Sequence, residues 1–400
     1  MDADIREQLF DLNKQIAQTE NTIKKSCMLG SNKQILEGFE KFLYSRGLSI
    51  LRIVKYLRTS KTIAEIYDKP FSEYTKNDCD TVMMRLRQSP KKYKPNTIND
   101  FIGGLRMLFK YIDGADGKAQ SPRTAHLIKK ATQNKLRKED LISESELLKI
   151  ISAMPSKQYQ CIISLLYESG ARPSEIRAIQ QKDISQIENG YKLNISGKTG
   201  QRTIFSVSSA PLLREIINNN PYKEAQTPLF YALEDGKPRF CQHKAWESMF
   251  GKVTFKVLGR KLNLYRLRHS RATTLIERGF NTSIVKSVLG HSRGSNTLEK
   301  TYLHLNDGDL LDAYCTAAGH ENKEKKPIKN IFQAKVCRCG NTMSAHQILC
   351  EKCGTPDKNA ELFKNEKNEL YERMLAAFLA IKETPGLAAD IEKRLTAQKK

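Results

Sequence analysis

Basic side chains crowd one short stretch of the chain, YRLRHSRATTL at residues 265–275. Apolar side chains in the same stretch recur at the spacing of a helix face, so the basic groups are predicted to share one helix. A guanidinium offers a rigid fork of donors that matches a phosphate, and an imidazole exchanges protons near neutral pH. The stretch is therefore predicted to meet an anion, and its basic residues are Arg266, Arg268, His269 and Arg271.

A second anion-binding candidate lies earlier in the chain, in LLYESGARPSEIRAI at 165–179. Gly170 and Pro173 frame Arg172, which predicts a helix, a tight turn and the start of a new helix. The N–H groups at a helix start favour an anion. Arg172 is therefore predicted to add its charge to such a site.

A predicted hairpin supplies a third basic candidate. GYKLNISGKTGQRTIFSVS, at 190–208, has the alternation of two strands and predicts a turn at Lys198–Gly200. Lys198 lies at the tip and is favoured for that reason over Lys192 and Arg202. Further on, VLGHSRGSNTLEKTYLHLN contains a Gly-His pair and the phenol of Tyr302.

The order of these motifs resembles the tyrosine recombinase, or phage integrase, family. GARPSEI, SGKTGQR, LRHSRAT, LGHS and YLH match the family pattern in order over residues 150–310. The matching residues are Arg172, Lys198, Arg268, His291 and Tyr302. The resemblance implies that Tyr302 attacks a DNA phosphodiester and forms a 3′-phosphotyrosyl bond. Rejoining then needs neither ATP nor a catalytic metal or other catalytic cofactor.

The resemblance also implies roles for the other residues. Arg172 and Arg268 would hold the non-bridging oxygens, and His269 would accept the phenol proton. Lys198 would protonate the leaving 5′-oxygen, and His291 would hydrogen-bond the phosphate. Tyr314 is a rival nucleophile in the segment LLDAYCTAAG, and Arg266 and Arg271 are expected to flank the site on solvent or DNA faces.

One residue departs from the family pattern. Tyr265 occupies the position where the H-x-x-R motif usually has histidine. A phenol can donate a hydrogen bond to a phosphate but cannot carry positive charge. Tyr265 is kept as a candidate catalytic residue, with a place in the core as the alternative.

Four cysteines cluster in VCRCGNTMSAHQILCEKCG. Paired C-G signals resemble the knuckles of a zinc ribbon, although the first pair is C-x-C rather than C-x-x-C. The sequence therefore predicts a structural zinc with ligands Cys337, Cys339, Cys350 and Cys353, and His346 as an alternative ligand. An appended ribbon suggests an archaeal-type integrase.

Hydrophobic patterning predicts a chain that is mainly helical, with a small β-hairpin or sheet in the catalytic part, an α+β fold. The resemblance implies a two-domain, C-shaped DNA clamp. The N-terminal helix has the pattern of a short coiled-coil seam or of a helix packed on its own domain. The predicted segments are the N-terminal helix at 1–28, a helical core-binding domain at 29–115, a linker at 116–140, a catalytic domain at 141–318, the zinc-ribbon-like segment at 334–356, and an amphipathic helix and tail at 357–400.

The charge of the chain indicates a polyanionic partner. The 400 residues carry 67 Lys and Arg against 44 Asp and Glu, a net charge of +23. The acidic N-terminus and the absence of a long apolar run predict a cytoplasmic, nucleoid-associated protein without a membrane segment. We expect an integrase of a mobile element that acts at specific attachment-type sites in double-stranded DNA as a recombination tetramer. The alternatives are a type IB-like topoisomerase and a non-catalytic DNA-binding protein of the same fold.

Overall fold

The computed structural model describes residues 3–115, 117–130, 140–197, 200–292, 294–295, 298 and 330–357. Contacts divide the chain into an N-terminal unit at 2–135 and a C-terminal unit that begins at residue 136. Helices dominate both units, and the strands form small antiparallel sheets. The predicted α+β class is therefore confirmed. No helix of the described residues combines the length and the apolar character that crossing a membrane requires.

The N-terminal unit consists of helices around one apolar core. They are α1 (Ala3–Phe10), α2 (Leu12–Lys24), α3 (Gly30–Ser45), α4 (Ile50–Ile66), α5 (Lys76–Gln88) and α6 (Pro95–Ile112). Gly47 follows α3 with φ of +66°, a left-handed conformation that stops the helix as the sequence predicts. At the start of α5, the Thr75 hydroxyl accepts a hydrogen bond from the Asp78 amide, which caps the helix.

The segment predicted as one helix at 1–28 is two helices. Asp11 lies between α1 and α2 with left-handed φ and ψ of 47° and 50°, outside the range of a right-handed helix, so α1 ends before it and α2 begins after it. Ile16 and Ile23 of α2 are buried in the core of the N-terminal unit. Of the two alternatives, the structure therefore has a helix packed on its own unit.

The linker predicted at 116–140 begins too early in the chain, because residues 117–130 belong to the N-terminal unit. Ser121, Thr124 and Leu127 are buried, and the Arg123 guanidinium pairs with Asp113 at 3.0 Å. Composition indicated a linker because the segment is polar and Gly-containing, but a few anchoring side chains attach residues 117–130 to the N-terminal unit. Residues 116 and 131–139 lie outside the described part of the chain.

The C-terminal unit has its own core, which surrounds the largely buried helix α8. The helices are α7 (Glu144–Ser152), α8 (Lys157–Ser169), α9 (Pro173–Arg177), α10 (Ala210–Asn219), α11 (His243–Leu258), α12 (Tyr265–Glu277) and α13 (Thr282–Leu289). Ser143 caps α7 by accepting from the Glu146 amide, and the sequence SESE at 143–146 is typical of such a helix start.

Three small antiparallel sheets complete the C-terminal unit. The strands are β1 (Ile184–Ile187), β2 (Gly190–Gly197), β3 (Gly200–Ser206), β4 (Tyr231–Glu234), β5 (Lys237–Phe240), β6 (Lys335–Val336) and β7 (Thr342–Met343), in the orders β1-β2-β3, β4-β5 and β6-β7. Gly197 pairs with Gly200, so the hairpin turns through two residues as predicted. Those two residues, 198 and 199, are outside the described part.

Two adjacent glycines of α6 offer a matched test of the N-terminal core. A Cβ on Gly104 would lie 2.5 Å from the Thr59 Cγ2 of α4, whereas a Cβ on Gly103 would first meet the flexible Lys129 ammonium at 3.1 Å. We expect Gly104→Ala to destabilise the unit by about 1–3 kcal/mol through overpacking. Gly103→Ala should instead stabilise it by up to about 1 kcal/mol through helix propensity. Hydrogen exchange of the α6 amides measures the change in stability for each variant. Equal effects of the two substitutions would contradict the packing of α4 on α6.

Candidate active site

The site is organised around the turn that ends α8. Gly170 has a left-handed φ of +58°, and a Cβ there would lie 2.8 Å from Leu289 Cδ2 at the end of α13. The Gly170 carbonyl accepts a hydrogen bond from Arg268 Nη1 of α12 at 2.6 Å. The turn before Arg172 thus joins α12 and α13, although these elements are far apart in sequence.

Arg172 is held by a buried carboxylate. It caps α9, its amide donates to Glu175 Oε2 at 2.8 Å, and its Nη1 contacts Glu175 Oε1 at 2.9 Å. Arg202 of β3 pairs with the same Oε1 at 3.0 Å, while Glu175 itself is 0% exposed. Burial opposes ionisation of Glu175, but Arg202 and Arg172 outweigh it and hold the pKa of this carboxyl below its usual value.

Helix α12 presents the second predicted guanidinium. Arg268 is only 6% exposed, and Leu267 beside it is fully buried. Tyr265, the first residue of α12, is 43% exposed, which excludes a place in the core. Arg271 lies 5.7 Å from the centre of the Tyr167 ring, so it packs inward rather than on a solvent or DNA face as the sequence suggested.

His291 lies beside the same guanidiniums. It follows Gly290, which caps α13 with a left-handed φ of +64°. Burial, followed by the charges of Arg268, Arg172, Arg202 and Lys286, lowers the pKa of His291 to about 4. Its Nδ1 is buried and has no hydrogen-bond partner among the described residues. The structure thus brings together three of the predicted catalytic residues: Arg172, Arg268 and His291.

His269, another predicted catalytic residue, is half-buried on α12. Burial, then the charges of Arg266 and Arg268, lower its pKa to about 4. Both imidazoles are therefore neutral at pH 7. Two guanidiniums beside neutral imidazoles can neutralise an anion and also donate or accept a proton.

The remaining predicted catalytic residues lie outside the described part of the chain. They are Lys198 and Tyr302, together with the rival nucleophile Tyr314.

The four predicted metal ligands form one cluster. The sulfurs of Cys337, Cys339, Cys350 and Cys353 all lie within 4.8 Å of one another, and His346 is not part of this group. Two of the separations are 3.4 and 3.7 Å. Four thiolates around a tetrahedral zinc are separated by about 3.8 Å, from Zn–S bonds of about 2.3 Å.

The pKa values of the cysteine thiols differ within the cluster. Hydrogen bonds from the Thr355 side chain and backbone lower the pKa of Cys353 to about 6. Although the Asn341 amide opposes the shift, the neighbouring sulfurs of the other three cysteines raise the pKa of Cys339 to about 11. A divalent metal between the four sulfurs would favour the ionised form of all of them, so the residues fit such a metal.

Comparison with known proteins agrees with this geometry. Residues 140–309 match the phage integrase family. The chain is 26% identical over 268 residues to a protein named tyrosine recombinase XerA from Pyrococcus horikoshii, and the match covers 66% of this chain and 88% of that one. Residues 140–309 therefore carry a phage integrase family domain, and the chain is similar to proteins named tyrosine recombinase.

Two solved structures share the fold. The integrase of the Tn1549 transposon, in complex with transposon right-end DNA, has a TM-score of 0.56 at 18% identity, and the match covers 71% of this chain and 99% of that one. XerH site-specific recombinase bound to its difH substrate has a TM-score of 0.55 at 20% identity, with 78% and 90% covered.

The pairing of Arg202 with Glu175 was not predicted from the sequence. Arg202 was considered only as an alternative to Lys198 in the predicted hairpin. A signal for its real position was present, because Arg202, Ile204 and Ser206 alternate along β3 and the last two are buried. Arg202 therefore belongs to the inward face of the strand, whereas Lys192 lies on the exposed face of β2.

The buried ion pair predicts a difference between these two basic residues. Arg202→Met should destabilise the C-terminal unit by about 3 kcal/mol, because it removes one partner of a fully buried carboxylate. Lys192→Met, in the same hairpin, should change stability by less than about 0.5 kcal/mol. Urea unfolding followed by the fluorescence of Trp246, the one tryptophan of the chain and a buried residue, measures both. Equal losses would contradict the ion pair.

The lowered pKa values of the two histidines predict a pH dependence. The folded pKa of about 4 for His269 and His291 lies below the unfolded value of about 6.5. Stability is therefore fully present above pH 6.5 and decreases as the pH falls towards 4, because the unfolded state binds protons first. NMR titration of the imidazoles in DNA-free protein, with His269→Gln and His291→Gln for assignment, should show midpoints near pH 4. Midpoints near 6.5 would show that the imidazoles are solvated.

Proposed function

We propose that the chain is a site-specific DNA recombinase that cleaves and rejoins duplex DNA through a 3′-phosphotyrosyl intermediate. One observation carries the proposal. The Arg268 guanidinium donates to the carbonyl two residues before Arg172, and both arginines lower the pKa of His291. Three segments distant in sequence therefore supply an anion site with the residue types that phosphoryl transfer requires.

The two arginines would stabilise the transition state. Charge builds on the non-bridging oxygens when a phosphodiester is attacked in line, and guanidiniums placed in advance lower the barrier. Arg172 is oriented by Glu175 and Arg268 by the Gly170 carbonyl, so both are held before substrate binds. Loss of one such donor typically costs a factor of about 100–1000 in rate.

Proton transfer would fall to the histidines, Lys198 and Tyr302. A phenol has a pKa of about 10 in water, so Tyr302 needs a base, and the neutral imidazole of His269 can accept its proton. His291 has an unpartnered buried nitrogen that suits a phosphate oxygen. Tyr265 is exposed at the start of α12 and would donate one hydrogen bond without adding charge.

We assign the general acid to Lys198 by position. Arg202 is committed to Glu175, and Lys192 lies on the exposed face of β2, six residues before the turn. Gly197 pairs with Gly200, and Lys198 lies between these two residues in the sequence, where a hairpin tip is predicted. A lysine there would reach the leaving oxygen when DNA occupies the site.

We also propose that the four clustered thiolates hold a structural zinc. The sulfur separations, the reduced state of the cysteines and the set of four soft ligands suit zinc. Such a site has no open position, so the metal would take no part in the cleavage chemistry.

The partners follow from the family and the charge. We propose double-stranded DNA with attachment-type sites as the substrate and a recombination tetramer as the active assembly. The net charge of +23 supports a polyanionic partner. A mobile element is the proposed genetic context, and the site of action is intracellular DNA at the nucleoid.

A covalent trapping assay tests the chemistry. The protein is mixed with nicked duplexes made from the DNA that flanks its gene, with or without EDTA, and is then denatured in SDS. We expect the adduct to form in EDTA as long as the zinc stays bound to the chain, because no metal takes part in the proposed cleavage itself. Tyr302→Phe should abolish the adduct, whereas Tyr314→Phe should leave it unchanged.

The same assay separates the alternatives. Adducts of equal yield on duplexes of unrelated sequence would indicate a type IB-like topoisomerase. DNA binding without any adduct would indicate a non-catalytic protein of the same fold. Loss of the adduct with Tyr314→Phe rather than Tyr302→Phe would reassign the nucleophile.

A further inference from the structure

The C-terminal ribbon, residues 330–357, is attached to the C-terminal unit by its first residues. Phe332 is 3% exposed, and its ring lies edge-on to Tyr167 of α8 with centroids 5.1 Å apart. The amide of Ile331 donates to Glu144 Oε2 of α7 at 3.1 Å. Ala345, further along the ribbon, is buried in the same core. The ribbon therefore contributes to the core of the catalytic unit.

Glu144 connects the ribbon to α12, the helix that carries three predicted catalytic residues. Its second oxygen, Oε1, pairs with Arg278 Nη2 at 2.8 Å, just after the end of α12. The Tyr167 hydroxyl donates to the same oxygen at 3.2 Å. Both partners of the ion pair are largely buried, with 9% of the Glu144 side chain and 13% of the Arg278 side chain exposed. One carboxylate thus contacts the ribbon through one oxygen and α12 through the other.

Tyr167 makes a parallel connection. Its ring contacts Phe332 of the ribbon, and the Arg271 guanidinium lies over the same ring at 5.7 Å. Its hydroxyl is 3.3 Å from the Thr274 hydroxyl. Arg271 and Thr274 belong to α12, which also carries Arg268 and His269. Displacement of Phe332 would therefore remove packing from a side chain that supports α12.

The metal-ligand end of the ribbon has its own attachment. Glu351 lies between Cys350 and Cys353 and pairs with Lys157, the first residue of α8, at 2.7 Å. The regular structure of the ribbon consists of two strands of two residues each. So short a segment has little core of its own, and bound metal supplies the folding energy of such segments.

We propose that the metal held by the four cysteines acts as a structural clasp, which keeps residues 330–357 docked on α7 and α8 and thereby holds α12 in its active position. This inference rests on the zinc site proposed above. Without metal the ribbon unfolds locally, Glu144 loses the Ile331 amide and Tyr167 loses Phe332. The support behind the helix that carries Arg268 and His269 is then weakened, although the metal takes no part in the reaction.

The experiment uses the full-length protein with and without zinc. Native mass spectrometry measures the metal content, and hydrogen exchange is followed in residues 330–357 and in α12. We expect one zinc per chain. Removing it with a strong chelator should accelerate exchange in both segments, by about tenfold in α12 as expected for a lost tertiary contact. Added zinc, but not magnesium, should restore protection.

Two variants separate the clasp from the metal site. Phe332→Ala and Glu144→Gln keep all four cysteines, so each should bind one zinc. In both variants, the amides of α12 should exchange as fast as in zinc-free protein. The yield of adduct in the trapping assay should decrease. Lys352→Ala, an exposed change within the metal-binding turn, should leave metal content and exchange unchanged.

The outcomes identify which proposal fails. A chain that binds no zinc would overturn both the metal site and the clasp. Zinc binding whose removal accelerates exchange in 330–357 but not in α12 would overturn the clasp and leave the metal site in place. Adduct formation that is lost with Tyr302→Phe but not reduced by zinc removal would overturn the clasp without affecting the recombinase assignment.

Discussion

A buried carboxylate is the interaction on which the proposed active site depends. Phosphoryl transfer requires positive charge at one point, and guanidiniums gathered there repel one another. Glu175, fully buried between Arg172 and Arg202, offsets part of that repulsion. Because a buried charge is stable only when it is paired, Glu175 also fixes where both arginines lie. The hairpin and the start of α9 are therefore joined by the same contact that prepares the anion site.

Helix α12 has the same double role of structure and chemistry. Its apolar side, with Leu267 and Ala272 fully buried, packs into the C-terminal unit, and its Arg268 reaches the Gly170 carbonyl. Behind it, Glu144 and Tyr167 connect its last turn to the ribbon. A helix that must present charged groups in a low-dielectric site needs rigid support, because misplacement of such groups sharply reduces catalysis.

Local features could be predicted from the sequence because they depend on neighbouring residues. The left-handed Gly170, the cap at Ser143 and the hairpin turn at 198–199 each follow from a few adjacent side chains. The linker and the N-terminal helix were less predictable. Leu127 is buried although it lies in a segment of mostly polar composition, and the break at Asp11 involves an aspartate in a left-handed conformation. Both depend on what the rest of the unit packs against them.

The sequence by itself determined the residue types and their order: the arginines, histidines and phenol of a phosphoryl-transfer site, and four thiols at metal-binding spacing. Only the tertiary structure decided the partners. It paired Arg202 with Glu175, turned Arg271 onto Tyr167, left Tyr265 exposed and attached the ribbon behind α12. The physical reason is that a motif specifies chemistry through residues close in sequence, whereas burial and ion pairing depend on segments brought together only when the chain folds.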